Sequence, residues 1–153
     1  MYKVEHFTDT IYYQIELTAK YCKNLGVQIF SKSDFPITLD EFCALDVIML
    51  HDGICQLELA KLILKDRANT GRILNTLEEK GWIKRFVDTK NNRLVRKMEL
   101  TNEGKDILKK ATIEARKQLN QVTNIISEEE AIFLKNIMKK FREGLKNEVE
   151  MKI

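Results

Sequence analysis

Residues 54 to 101 constrain the fold more than any other part of the chain. In order they hold a short segment of helical apolar spacing, a second one closing on Leu-Glu-Glu-Lys-Gly-Trp-Ile-Lys-Arg, and two β-like runs on either side of the polar sequence Asp-Thr-Lys-Asn-Asn-Arg. In the first segment, Gln56 to Leu64, Leu57, Ala60, Leu62 and Ile63 are available for burial, and the small Ala60 permits a close helix approach. Asp66 is placed to cap a second helix, Ile73, Leu74 and Leu77 give its inner face, and Gly81 supplies the left-handed stop. Trp82 to Val87 and Leu94 to Leu100 read as strands, joined by a connection short enough to be a hairpin. Ile54 and Cys55 fit one further, very short strand.

Two helices joined by a tight turn and followed by a hairpin are the layout of a winged helix-turn-helix, an architecture suited to duplex DNA. Local charge agrees with that layout. The whole protein is only mildly basic at +3, but residues 65 to 97 carry ten basic side chains against four acidic ones. That segment is therefore +6, and the other 120 positions sum to −3. Phosphate neutralisation by such a surface gives affinity that does not depend on sequence and weakens with salt. The same charges would also suit a plain solvated face.

The flanking segments read as long helices. Before the central region, Phe7, Ile11, Ile15, Ala19, Cys22, Leu25 and Ile29 fall in steps of three and four along one helix from His6 to about Phe30. Pro36 interrupts it, and Thr38 with Glu41 forms a capping-box pattern opening a helix through Phe42, Leu45, Ile48 and Met49 to Asp52-Gly53. Beyond Thr101, Ile107, Leu108, Ala111, Ala115, Leu119, Val122 and Ile126 run on without a breaker. Ser127 followed by Glu128, Glu129 and Glu130 opens a last amphipathic helix through Phe133, Leu134, Ile137, Met138, Phe141 and Leu145. The expected fold class is mainly α with a small β-wing (α+β), in one domain spanning 1–153. Residues 38–101 form the winged-helix lobe, and 1–35 and 102–153 form dimerisation helices whose apolar stripes exceed what one short domain covers.

With 153 residues and 44% hydrophobic content the chain can bury a real core, and a single Pro with six Gly favours helices over a loop-rich β architecture. No apolar run approaches the roughly 20 residues of a membrane span, and the N-terminus lacks a basic-then-apolar signal pattern, so a cytoplasmic protein is expected. Cys22, Cys43 and Cys55 fit no disulfide framework. His51 and Cys55 are four apart, but Asp52-Gly53 breaks any shared helix, so no metal site is expected. Without a nucleophile elbow, P-loop or dinucleotide fingerprint, no enzyme and no cofactor are expected either.

Four motifs carry a resemblance to the MarR family of bacterial winged-helix transcription regulators. They are Leu59-Ala60, Leu77-Glu78-Glu79-Lys80-Gly81, Asp88 with Arg93, and Leu100-Thr101-Asn102-Glu103-Gly104, and the resemblance covers essentially the whole chain in the family's order. The wing is one residue longer than the family pattern between Asp88 and Thr101, and Gly71 lies inside the second helix, where it permits a close approach to a DNA backbone.

The early part of that second helix enters the major groove in a helix-turn-helix, which here brings Arg67, Asn69, Thr70, Arg72 and Asn75 to the bases. Arg suits guanine O6 and N7, Asn suits adenine N6 and N7, and Thr suits a base edge or a thymine methyl. Arg93, helped by Lys90, resembles the family's wing arginine in the minor groove, with Asp88 supporting the wing through an ion pair. Gln56, Lys84 and Lys97 are expected on phosphates, where they position rather than specify. The resemblance further implies a homodimer on a pseudo-palindrome with half-sites about 34–36 Å apart, and a repressor released by a small aromatic or anionic effector. Tyr12, Tyr13, Tyr21 and Phe42 are candidate lining residues for an effector pocket, although such spacing also fits ordinary core. A peroxide-sensing branch of the family uses a first-helix cysteine, which makes Cys22 the candidate for a redox-sensing alternative. A dimeric adaptor that binds protein instead of DNA is the competing class.

Overall fold

Thr10, Thr38, Asp66, Thr101 and Ser127 each stand just before a helix, and each side-chain oxygen accepts the backbone N–H three residues on, at 2.7–3.2 Å. These caps divide the chain. In the computed structural model, which describes residues 3–150, they open α1 (Ile11–Ser31), α2 (Leu39–Leu50), α4 (Arg67–Glu79), α5 (Asn102–Thr123) and α6 (Glu128–Leu145). Positions 1–2 and 151–153 of the expected flanking segments lie outside the described residues. The short α3 (Gln56–Leu62) starts instead on a carboxylate of its own first turn, Glu58, which accepts Cys55 N–H at 3.1 Å. At Thr38 the reciprocal bond is also made, Thr38 N–H donating to Glu41 Oε2 at 3.2 Å, so the capping box read from sequence is complete.

Thr10 corrects the sequence reading at the N-terminus. The first helix does not run from His6; a 3-10 turn, Phe7–Asp9, ends at Thr10, which caps α1 instead. Apolar spacing continued through this break, so periodicity alone concealed it.

The two strands, β1 (Ile83–Lys90) and β2 (Arg93–Leu100), pair antiparallel from Ile83↔Leu100 to Lys90↔Arg93. Both are longer than expected, because only Asn91 and Asn92 form the turn, with φ of 51° and 61°. Asparagine tolerates this left-handed region, and two such residues in a row match the strand twist of a tight hairpin. Cys55 bridges to Lys97, so the expected third strand is reduced to one contact on β2.

The core lies where α2, α3, α4, the base of the hairpin and the first half of α5 meet. Leu45, Leu59, Leu74, Leu77 and Met98 are fully buried there, with Ile54, Ile83, Leu108 and Ala111 around them. The ends of the chain contribute little to it. In α1 only Ile29 and Phe30 are buried, and α6 buries none of its residues.

Two motifs that are distant in sequence interlock at the wing base. Gly81, at φ +73°, ends α4 and lets Trp82 N–H return to Leu77 O at 3.0 Å. The Thr101 hydroxyl donates to Gly81 O at 2.6 Å while it accepts from Gly104 N–H, and Thr101 N–H donates to Trp82 O at 3.0 Å. Gly104 is buried with its Cα against this strand entrance, and a Cβ added there would run into the Trp82 carbonyl. Gly104→Ala is therefore expected to destabilise the fold by about 1–3 kcal/mol, the usual cost of overpacking. Urea unfolding with an unchanged midpoint would contradict that.

Candidate nucleic-acid interface

The helix-turn-helix is closed by an αL turn at Leu64, φ 58°, from which Lys65 N–H reaches back to Ala60 O at 3.0 Å. Asp66 then caps α4, its Oδ1 accepting Asn69 N–H at 2.7 Å; these hydrogen bonds hold its carboxyl below the ordinary carboxylate range. Gln56 links the two helices by donating from Nε2 to Arg67 O at 3.4 Å. Gly71 faces this amide, since a Cβ there would lie 3.3 Å from Gln56 Nε2. The glycine leaves room for this amide where α3 and α4 cross.

With Thr70, Leu74 and Leu77 buried, helical periodicity turns Ala68, Arg72, Asn75 and Glu79 to the opposite, exposed side, flanked by Arg67 and Asn69. Thr70 departs from the sequence expectation. It is 0% exposed and its hydroxyl donates to Asp66 O at 2.8 Å, so it packs the turn rather than presenting itself to a base edge. Its burial follows from its place on the Leu74–Leu77 stripe, which outweighed its polarity. The Asn69 amide is likewise engaged, Nδ2 donating to Asp66 Oδ2 at 2.6 Å.

The wing's cations divide into tethered and free. Lys90 Nζ donates to Glu58 Oε1 at 2.6 Å, fastening the wing to α3. Lys97 Nζ donates to Asp88 Oδ2 at 2.8 Å while Asp88 Oδ1 accepts Thr89 N–H, so Asp88 makes an ion pair within the wing and its carboxyl stays below the usual carboxylate range. Lys84 pairs across the strands with Glu99 at 2.8 Å. Gln56, Lys84 and Lys97, expected on phosphates, thus all have protein partners in this structure. Arg67, Arg72, Arg93 and Arg96 make none of the ion pairs found among the described residues, and all four are exposed.

Two residues escaped the sequence reading. Arg96 lies on the strand face of Met98 and Leu100, just beyond the core, and lines a cleft of about 480 Å³ with Gln56 and Arg67. Counting back in twos from Leu100 would have found it. Arg85, opposite Met98 in the hairpin, reaches α4: Nε donates to Glu78 Oε2 at 2.9 Å and Nη2 to Asn75 Oδ1 at 2.6 Å.

The residues expected to line an effector pocket do not converge. Tyr12 packs beside Phe141 of α6, Tyr13 meets Phe7 edge-on, Phe42 lies against Phe30 at the core margin, and Tyr21 is 71% exposed. None of them lines a described cavity. A cleft of about 780 Å³ lies instead between the end of α2, α3 and the wing, and Glu58, Lys90, His51 and Cys55 are in its wall. The thiols are free; Cys22 is exposed rather than buried, while burial raises the Cys43 thiol above its ordinary value. Among the described residues no cluster of three or more His, Cys, Asp or Glu could hold a metal, and no helix is long and apolar enough to cross a membrane.

Glu58 gives a pH signature for the tether. The Lys90 hydrogen bond first, then the Cys55 N–H, lower its carboxyl from 4.5 to about 2. A depressed carboxyl stabilises the folded state fully above its unfolded value and loses that contribution as pH falls through the folded one, here from about 4.5 to about 2. Carboxyl-carbon NMR is expected to place the wild-type midpoint near 2 and to move it back toward 4.5 in Lys90→Met. Equal midpoints in the two proteins would rule the tether out.

Comparison with known proteins places this geometry in context. The family model of the MarR family matches residues 37–95, the segment from the start of α2 into β2. The fold is similar to that of the S. aureus MepR–DNA complex, with 24% identity, a TM-score of 0.72, and 89% of this chain and 98% of that one covered. Apo MarR from E. coli is similar at 24% identity and a TM-score of 0.67, covering 86% of this chain and 96% of that one. The transcriptional regulator SlyA is similar at 23% identity and a TM-score of 0.72, covering 90% and 95% respectively.

Proposed function

We propose that this chain, a non-enzymatic winged-helix regulator of the MarR family, is a cytoplasmic, homodimeric repressor that recognises a pseudo-palindromic operator. The observation that carries the reading is the outward side of α4, where Arg72 and Asn75 share one exposed stripe with Arg67 beside it. The unpaired Arg93 stands exposed beside the turn of the wing. Arg72 and Asn75 are the base-reading candidates, Arg93 the minor-groove contact, and Arg67 and Arg96 phosphate contacts. Lys84, Lys90 and Lys97 reach phosphate only by giving up Glu99, Glu58 and Asp88. A small aromatic or anionic effector that displaces the wing or reorients the two lobes would release the operator.

Dimerisation is supported by the apolar side chains left at the chain ends. Phe133 and Ile125 are 68% and 80% exposed, and Ile11, Tyr12, Ile132, Leu134 and Ile137 are also in solvent. A second copy covers such a surface in a closed two-fold dimer and sets two recognition helices one helical turn apart.

Sequencing of genomic fragments retained by the purified protein tests the reading. A shared near-palindrome is expected, and Arg72→Ala should lose about 1–3 kcal/mol of affinity and relax one position of it. Arg93→Ala should lower the slope of log affinity against log salt by about one. Fragments without a common motif, held equally by both variants, would exclude a sequence-specific regulator and favour a protein-binding adaptor. Phe133→Glu should yield monomers by analytical ultracentrifugation; a dimer of undiminished stability would place the interface elsewhere.

A further inference from the structure

Asn75 occupies the middle of the outward stripe of α4, where a free asparagine would present both its oxygen and its nitrogen to a base edge. In this structure it is not free. Arg85 Nη2 donates to Asn75 Oδ1 at 2.6 Å, and the same guanidinium is held by both oxygens of Glu78, through Nε at 2.9 Å and Nη2 at 3.2 Å. A guanidinium has donors only, so its neighbour must be the amide oxygen, and the amide cannot be turned round without placing NH₂ against a cation. Arg85 itself is well fixed. It stands on the core-facing side of β1, two residues from buried Ile83 and opposite buried Met98, and its side chain is 22% exposed. Glu78 balances its charge, and charge-assisted bonds of this length are the strong ones.

We propose that Arg85 is a positioning residue for base recognition: by holding the Asn75 oxygen against the protein it leaves only the amide NH₂ facing the major groove. This inference rests on the DNA-binding reading above. The paired contact to adenine needs the amide oxygen and nitrogen side by side, one accepting from N6 and the other donating to N7. An NH₂ alone is a donor. Guanine offers it two acceptors, O6 and N7, and thymine offers O4, whereas adenine offers only N7 beside the opposing N6 donor and cytosine only the N4 donor, so a keto base is favoured. The specificity of Asn75 is therefore set from β1, by a residue that touches no base.

Selection from a randomised duplex pool tests this with the full-length protein and three variants. Asn75→Ala marks the position concerned, as the one whose preference disappears. At that position wild type is expected to prefer a keto base over adenine by at least about fivefold, the low end for a base-edge contact. Arg85→Lys, which retains a donor, should keep the preference, whereas Arg85→Met frees the amide and should shift it toward adenine. A global structural role for Arg85 would weaken binding at every position without changing base identity at one. Adenine preferred by wild type at the marked position overturns the proposal even if Arg85→Met does not fold, and so does an unchanged preference in a folded Arg85→Met. A wild-type selection that enriches no motif overturns the DNA-binding reading itself, and this proposal with it.

Discussion

A single ammonium group joins the parts of this fold that have to stay in register. Lys80 Nζ donates to Pro36 O at 3.0 Å and to both Glu41 oxygens at 2.9 and 2.8 Å, and it lies 4.6 Å from the centre of the Trp82 ring. Pro36 belongs to the segment between α1 and α2, Glu41 is the capping residue of α2, Lys80 ends α4, and Trp82 leads into the wing. Glu41 is 6% exposed, so without Lys80 its carboxylate would be left with the Thr38 N–H alone, and losing one partner of a buried charge is destabilising. The α4 terminus is therefore set against the chain that descends from α1. The Gly81–Thr101 interlock lies beside this contact and fixes the same end of α4 to the start of α5.

Polar side chains position the surface of α4 and the wing in the same manner throughout. Asp66 caps α4 and binds Asn69, Glu58 caps α3 and binds Lys90, Asp88 binds Lys97, and Glu78 binds Arg85. Each carboxylate takes a cation or amide that would otherwise be loose on a long side chain. The four arginines left over there are Arg67, Arg72, Arg93 and Arg96, spread between α4 and the wing. Exposed pairs of this kind contribute little to stability, so the arrangement serves orientation more than fold stability.

Elements governed by neighbours in sequence were legible. The caps at Thr38, Asp66, Thr101 and Ser127, the stop at Gly81 and the inner face of α4 at Leu74 and Leu77 all depend on residues within one or two turns. Features decided by the third dimension were not. Thr70 looked available because it is polar, but the stripe it shares with Leu74 buries it. Gly71 stands against the amide of Gln56, fifteen residues earlier, and Asn75 has its orientation from Arg85, ten residues later on another element. The hairpin turn was read too long because Lys90 and Arg93 look like loop residues, although Asn91 and Asn92 alone can make the turn. The aromatic residues of α1 could not be gathered into a pocket, since spacing along a helix says nothing about what stands opposite.

Under the proposed function, duplex DNA engages the free arginines of α4 and the wing while the clamped Arg85 stays on its carboxylate. Arginine side-chain NMR during titration with a duplex containing the selected operator tests this most directly. The Nε signals of Arg67, Arg72, Arg93 and Arg96 should move on binding, and that of Arg85 should keep its free-state position on Glu78. Movement confined to arginines of α5 and α6, such as Arg116 and Arg142, with the four unchanged, would contradict it.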